Sequence, residues 1–170
     1  MRVIEKVETP EPLNSRFKEL NIEVITYAHE AVFTVDEGKD IKAQLVGGHT
    51  KNLFLKDKKE KVWLIIALAE TKIALNQVHK EIGSARLSFG KADLMKEILG
   101  VTPGSVTPFS LINDKENHVN LILDKAMLSY KILNYHPLKN DKTTAISPDN
   151  LLKFIKSCGH EPMILDFKNI

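Results

Sequence analysis

Three short runs in this sequence carry residues able to do chemistry. In GGHTKNLFLKDKK, Gly47 to Lys59, a lysine stands where the apolar face of a strand should begin. Read as a strand from Thr50 onward, the alternation puts Lys51 with Leu53 and Leu55, and turns Thr50, Asn52 and Phe54 the other way. A charge on that side either snorkels to water from the strand end or holds a ligand. The second run is GSVTP, Gly104 to Pro108, between an expected helix and an expected strand. Its glycine lets the backbone turn freely and Pro108 fixes the exit, so the loop can aim N–H groups at a ligand oxygen or serve as a plain connection. The third is NYHPLKNDKTT, Asn134 to Thr144, where His136 ends a strand just before a proline, as a site residue or as a satisfied edge residue.

Other chemistries find less support. The six histidines, His29, His49, His79, His118, His136 and His160, are scattered singly, with no His-x-x-x-His and no cysteine partners, so no metal site is expected. Cys158 sits beside Phe154 and Ile155 in an expected helix and reads as a small core residue, not as a thiolate nucleophile. There is no Gly-x-Ser-x-Gly elbow, and GGHTKN lacks the glycine spacing and following helix of a phosphate loop.

Positioning these residues takes one domain. At 170 residues and 43% hydrophobic, the whole chain, 1–170, is expected to fold around a single core. No segment resembles a membrane span or a secretory signal, and one cysteine suits a reducing compartment, so a cytoplasmic location is expected. Twenty-four Lys and Arg against 22 Asp and Glu leave a formal +2, too little for bulk electrostatic binding of nucleic acid. DNA is therefore not an expected partner, and any RNA contact would be local. The lysines of KDKKEK and LKNDK read first as solvated turns.

Along the chain, helices are expected at Asn14 to Leu20, Asp36 to Leu45, Thr71 to Gly83 and Lys91 to Gly100, and after the Ser147-Pro148-Asp149 start up to Gly159. Strands are expected at Glu23 to His29, Lys51 to Lys56, Val62 to Leu68, Ser110 to Asn113, His118 to Asp124, Lys131 to His136, Thr143 to Ile146 and Met163 to Phe167. The four strands between Ser110 and Ile146 pair most simply as antiparallel neighbours. The whole is an α/β domain with a bent, mixed but mostly antiparallel sheet surrounded by helices.

Taken in order, GGHTKNLFLKD, RLSFG, LGVTPGSVTPFSLIND, HVNLILD, YHPLKNDKTTAIS and LLKFIKSCGHEP closely resemble the prolyl-tRNA editing family, the YbaK and prolyl-tRNA synthetase-associated domains. The similarity runs from about Leu20 to Phe167. Among subgroups the chain looks most like the free-standing alanyl-tRNA(Pro) deacylases, because the relative that clears cysteinyl-tRNA(Pro) lacks the YHP arrangement. Leu138 and Lys139 fill variable-looking places, and Asp141-Lys142 is more charged than is typical of the family.

The resemblance implies a barrel-like version of the sheet and hydrolysis of an amino acid wrongly esterified to the terminal ribose of tRNA(Pro). It implies no cofactor, no metal and no covalent nucleophile, with the free ribose hydroxyl helping to position or activate water. Carried onto this sequence, the catalytic residues would be Lys51, Gly104 and His136. Substrate would be bound by Thr50, Asn52, Ser105, Val106, Thr107, Pro108 and Asn140. Expected partners are the acceptor end of mischarged tRNA(Pro) and prolyl-tRNA synthetase, with no membrane. An apolar pocket rejects a slightly smaller side chain by only about 10- to 200-fold, so a second, smaller sieve admitting alanine and excluding proline makes chemical sense. The alternatives are a cysteinyl- or seryl-tRNA deacylase, or a non-catalytic tRNA- or synthetase-binding module on the same fold.

Overall fold

In the computed structural model, residues 4–31, 39, 41 and 43–170 are described. Among the described residues nine strands build one sheet: β1 (Glu5–Val7), β2 (Ile25–Ala28), β3 (Gly48–Asp57), β4 (Val62–Leu68), β5 (Leu87–Phe89), β6 (Val119–Asp124), β7 (Leu133–Tyr135), β8 (Lys142–Ile146) and β9 (Met163–Leu165). Their order is β1-β2-β8-β7-β3-β4-β6-β9, and β5 pairs with β3. Around them pack helices α1 (Leu13–Glu19), α2 (Leu75–Ile82), α3 (Ala92–Leu99) and α4 (Pro148–Ser157).

The β3–β4 hairpin is the spine, and its register explains both faces. Thr50, Asn52 and Phe54 lie opposite Leu68, Ile66 and Leu64, while Lys51, Leu53 and Leu55 lie opposite Ala67, Ile65 and Trp63. The first face meets the larger core, where Phe109 meets Phe17 of α1 and Phe154 of α4 edge to face, Phe17 and Phe154 are tilted to each other, and the centroids are 5.4–5.5 Å apart. The second face meets Val78 and Ile82 of α2 together with Ile122 and Phe167. Apolar side chains are thus required on both sides of β4, and all seven of its residues are buried.

Local signals set several ends. Ser147 Oγ accepts from the Asn150 amide and Pro148 starts α4, as the Ser-Pro-Asp start predicts. Gly83 and Gly100 close α2 and α3 at φ +73° and +69°, a backbone region that glycine enters without a Cβ clash.

The structure corrects four expectations. Ser110 to Asn113 is not a strand: Thr107 Oγ1 accepts from the Phe109 amide and Pro108 presets φ, so Pro108–Asn113 winds into a 3-10 helix. Strand β6 does not pair with β7. It lies parallel to β4 and to β9, and its nearly continuous burial is that of an interior parallel strand. Helix α2 begins at Leu75, so Thr71 to Ala74 lie outside it. Strands β1 and β5 are unanticipated, since three residues each are too few to show a period. The expected helix from Asp36 to Leu45 falls largely outside the described residues; Lys39, Ile41, Ala43 and Gln44 are helical.

Candidate active site

Where β3 runs beside β7, the two strands are parallel, with Gly48 opposite Leu133 and His49 opposite Asn134. Thr50 Oγ1 donates to the Asn134 carbonyl at 2.8 Å and fastens the strands just past that register. Asn134 and His136 are two residues apart, so they share a face as a strand dictates, and both line the same recess as Thr50 and Asn52.

Two recesses meet there. The inner one, about 80 Å³, is lined by Thr50, Asn52, Asn134 and His136, with His29, His49 and Thr143 beside them and Ile41, Leu45 and Tyr135 as its apolar wall. The outer one, about 330 Å³, also reaches Thr50, Asn52 and His136, and adds Gly104 and Val106 of the GSVTP loop, together with Pro103, Phe54, Phe89 and Met95. Thr50, Asn52 and His136 therefore stand on the shared wall.

Hydrogen bonds fix the rings at this wall. His136 Nδ1 lies 2.7 Å from the Lys142 carbonyl, and a carbonyl only accepts, so Nδ1 carries a hydrogen. The same logic protonates His29 Nδ1, 2.7 Å from the Glu30 carbonyl, while its Nε2 lies 2.8 Å from Thr143 Oγ1. The two imidazoles are 6.2 Å apart between centroids. Asn134 Nδ2 donates to the Val46 carbonyl at 3.1 Å. Two amide oxygens, Asn52 Oδ1 and Asn134 Oδ1, are buried and accept from nothing among the described residues.

Of the ten residues expected at the site, Thr50, Asn52, Gly104, Val106 and His136 come together. Ser105, Thr107 and Pro108 turn inward and are buried; Thr107 caps the 3-10 helix and accepts from Ser110 Oγ. Gly104 takes φ +93°, the left-handed conformation that swings the loop so that Ser105 enters the interior while Gly104 and Val106 face the recess. Asn140, in the turn between β7 and β8, lines neither recess. Lys51 points to the opposite face of β3, where its ammonium donates to the Thr71 carbonyl.

Sequence reasoning missed Asn134, His29 and Thr143. The strand period could have revealed Asn134, since His136 two residues on was already singled out; His29 and Thr143 reach the recess only because β2 pairs with β8.

Elsewhere, burial pushes the Cys158 thiol up against the opposing pull of Arg16, so the cysteine is held in its thiol form and packs on the core. Among the described residues no group of three or more His, Cys, Asp and Glu is placed to hold a metal ion, and no helix is long and apolar enough to cross a membrane.

Comparison with known proteins gives this site a setting. The aminoacyl-tRNA editing domain matches residues 29–154, a span that takes in all the described residues lining both recesses. Prolyl-tRNA synthetase associated domain-containing protein 1 of Mus musculus is 39% identical over 160 residues, covering 91% of this chain and 94% of the relative. The prolyl-tRNA editing protein ProX of Acetoanaerobium sticklandii is 33% identical over 147 residues, covering 86% of this chain and 90% of the relative. Among solved structures, a hypothetical protein superposes with a TM-score of 0.73 at 17% identity, covering 92% of this chain and 98% of its own. A candidate trans-editing enzyme for prolyl tRNA synthetase superposes with a TM-score of 0.65 at 16% identity, covering 91% and 92%. At such identities the superpositions speak for the fold, and the sequence matches carry the family: the chain belongs to the aminoacyl-tRNA editing domain family.

Proposed function

We propose that this protein hydrolyses the ester of mischarged tRNA(Pro), alanyl-tRNA(Pro) above all, as a free-standing editing enzyme. The observation that carries the reading is the pair of recesses sharing Thr50, Asn52 and His136: one of about 80 Å³, sized for a small side chain, and one of about 330 Å³ that opens past Gly104. The aminoacyl group would enter the inner recess, against Ile41, Leu45 and Tyr135, and the terminal ribose would occupy the outer one. The scissile ester then lies at the wall between them.

The chemistry asked of the protein is orientation and charge stabilisation. Gly104 and Val106 line the outer recess, and a loop N–H offered there would meet the negative charge that develops on the ester carbonyl; one such donor is typically worth about a hundred- to a thousandfold in rate. His136 is held by the Lys142 carbonyl through Nδ1, which aims the rest of the ring at the shared wall and lets it position water or a ribose hydroxyl. In the proposed mechanism a water oxygen attacks the carbonyl carbon, the bond from that carbon to the ribose oxygen breaks, and a proton from the water passes to the departing ribose oxygen, leaving the free amino acid and the ribose hydroxyl; no covalent enzyme intermediate is required.

Lys51 enters the proposal separately. Its expected contact with the terminal nucleotide requires its ammonium to leave the Thr71 carbonyl, which a long flexible stem allows. The panel that tests the function is single-turnover deacylation of alanyl-, cysteinyl-, seryl- and prolyl-tRNA(Pro) by the purified protein. Alanyl-tRNA(Pro) is expected to be cleaved fastest and prolyl-tRNA(Pro) spared. A preference for cysteinyl-tRNA(Pro) would overturn the substrate assignment, and no cleavage of any of the four would leave a binding module.

A further inference from the structure

The inner recess contains a polar atom that the fold does not use. Asn134 is 6% exposed, and its amide orientation is set by its donor side: Nδ2 reaches the Val46 carbonyl at 3.1 Å and the Gly48 carbonyl at 3.5 Å. Its backbone is tied as well, through Thr50 Oγ1 to its carbonyl. What remains is Oδ1, buried, lining the recess, and accepting from no donor among the described residues. Asn52 Oδ1 is in the same condition on the same wall. A buried acceptor left unpaired is unfavourable, and two in one small recess point to a donor supplied by what binds there.

Resting on the deacylase reading above, we infer that Asn134, with Asn52 beside it, recognises the α-ammonium of the aminoacyl group. An aminoacyl ester offers two kinds of donor, the ribose hydroxyl and the ammonium. Asn134 lines only the inner recess, whereas Asn52 lines both, so the ribose side of the ester is not what Asn134 meets. The described residues that line the inner recess include no Asp or Glu. Among the described lining residues, then, the ammonium is read by two neutral amide dipoles. A site built this way selects an amino acid over an α-hydroxy acid of the same shape, because the hydroxyl brings one weaker donor where the ammonium brings three charged ones.

The test compares alanyl-tRNA(Pro) with lactyl-tRNA(Pro), in which a hydroxyl replaces the ammonium on an otherwise equal side chain. Single-turnover rates are each divided by the spontaneous hydrolysis of the same ester, since the ammonium itself activates the bond. Wild type is expected to favour the alanyl ester by about ten- to a hundredfold after that correction. In Asn134→Ala the preference should collapse toward one. Asn134→Asp keeps an acceptor oxygen but loses the Nδ2 donor to Val46, so it should retain the preference even where its overall rate drops. Equal corrected rates in wild type overturn the inference and leave the deacylase reading standing. An unchanged alanyl-to-lactyl ratio in Asn134→Ala, or an Asp variant as unselective as the Ala variant, makes Asn134 part of the scaffold and overturns it too. If wild type cleaves neither ester, the alanyl-tRNA(Pro) reading itself falls and this inference with it. Thermal melts of both variants show whether each is folded, and the wild-type ratio decides the ammonium question without them.

Discussion

At His136 a backbone carbonyl does what a carboxylate does in a catalytic triad: it holds one imidazole nitrogen so that the ring keeps its direction. Because the ring lies on the wall common to both recesses, His136→Ala should enlarge the inner sieve without unfolding the protein. The expected result is a loss of discrimination between alanyl- and prolyl-tRNA(Pro) of tens- to hundreds-fold, since a methylene or two in an apolar pocket is worth only about 1 to 3 kcal/mol. The ratio of single-turnover rates on the two substrates measures it, and an unchanged ratio places the sieve elsewhere. Lys51 poses the opposite question, for it sits on the far face of β3 with its ammonium on Thr71. The proposed substrate contact predicts that Lys51→Ala loses most of its deacylation, at least tenfold in kcat/KM, while the melting temperature moves little. A lowered melting temperature with an intact rate would show instead that Lys51 only ties down the turn after β4.

Among the elements, the loop from Thr102 to Pro108 shows how local stereochemistry shapes a recess. Gly104 at φ +93° separates an outward Pro103 from an inward Ser105, and the Ser105 amide closes the turn on the Thr102 carbonyl at 3.0 Å. Any L side chain at that φ costs about 1–2 kcal/mol or forces the loop to move. Gly104→Ala is therefore expected to lower stability by roughly that amount and to lower deacylation by a much larger factor, about tenfold or more, because the loop residues that line the outer recess shift with it. Denaturant unfolding and single-turnover kinetics on one preparation check both halves. A variant destabilised yet fully active would remove the loop from the mechanism.

For the molecule as a whole, a buried contact between a carboxylate and an imidazole joins segments distant in sequence. Asp114 accepts from the amides of His118 and Val119 at 2.9 and 2.8 Å and pairs with His160 Nε2 at 2.9 Å, linking the 3-10 helix, the start of β6 and the turn after α4. Burial alone would raise its carboxyl, but His160 and the two amides outweigh that and hold it below the ordinary value of 3.8. A depressed folded pKa means that the unfolded chain binds the proton more readily. The stabilisation is thus complete above about pH 4 and is lost as pH falls through the folded value. Thermal melts should accordingly show an acid-side loss of stability in wild type that is smaller in Asp114→Ala. At neutral pH the variant should be less stable by about 3 kcal/mol, since it leaves His160 buried without its partner. An identical acid profile in the two proteins would rule the pair out as its source.

What could be read from the sequence alone was whatever depends on neighbours along the chain. The β3–β4 hairpin, α3, α4 with its Ser147 cap, and the placing of Thr50, Asn52 and Lys51 on opposite faces all follow from periods of two and 3.6 and from capping chemistry. So did the family, because its motifs are short and local. The parallel partners of β6 and the meeting of β3 with β7 depend on side chains far apart in sequence burying one another, and no local pattern encodes them. That pairing decides the site. It sets Asn134 and His136 beside Thr50 and Asn52 while leaving Lys51 behind the sheet, and it buries the Asn134 amide with one oxygen unmatched. Residue types announced that chemistry was present, but which polar atoms the fold itself satisfies and which it leaves for a substrate is a property of packing, and only the folded chain determines it.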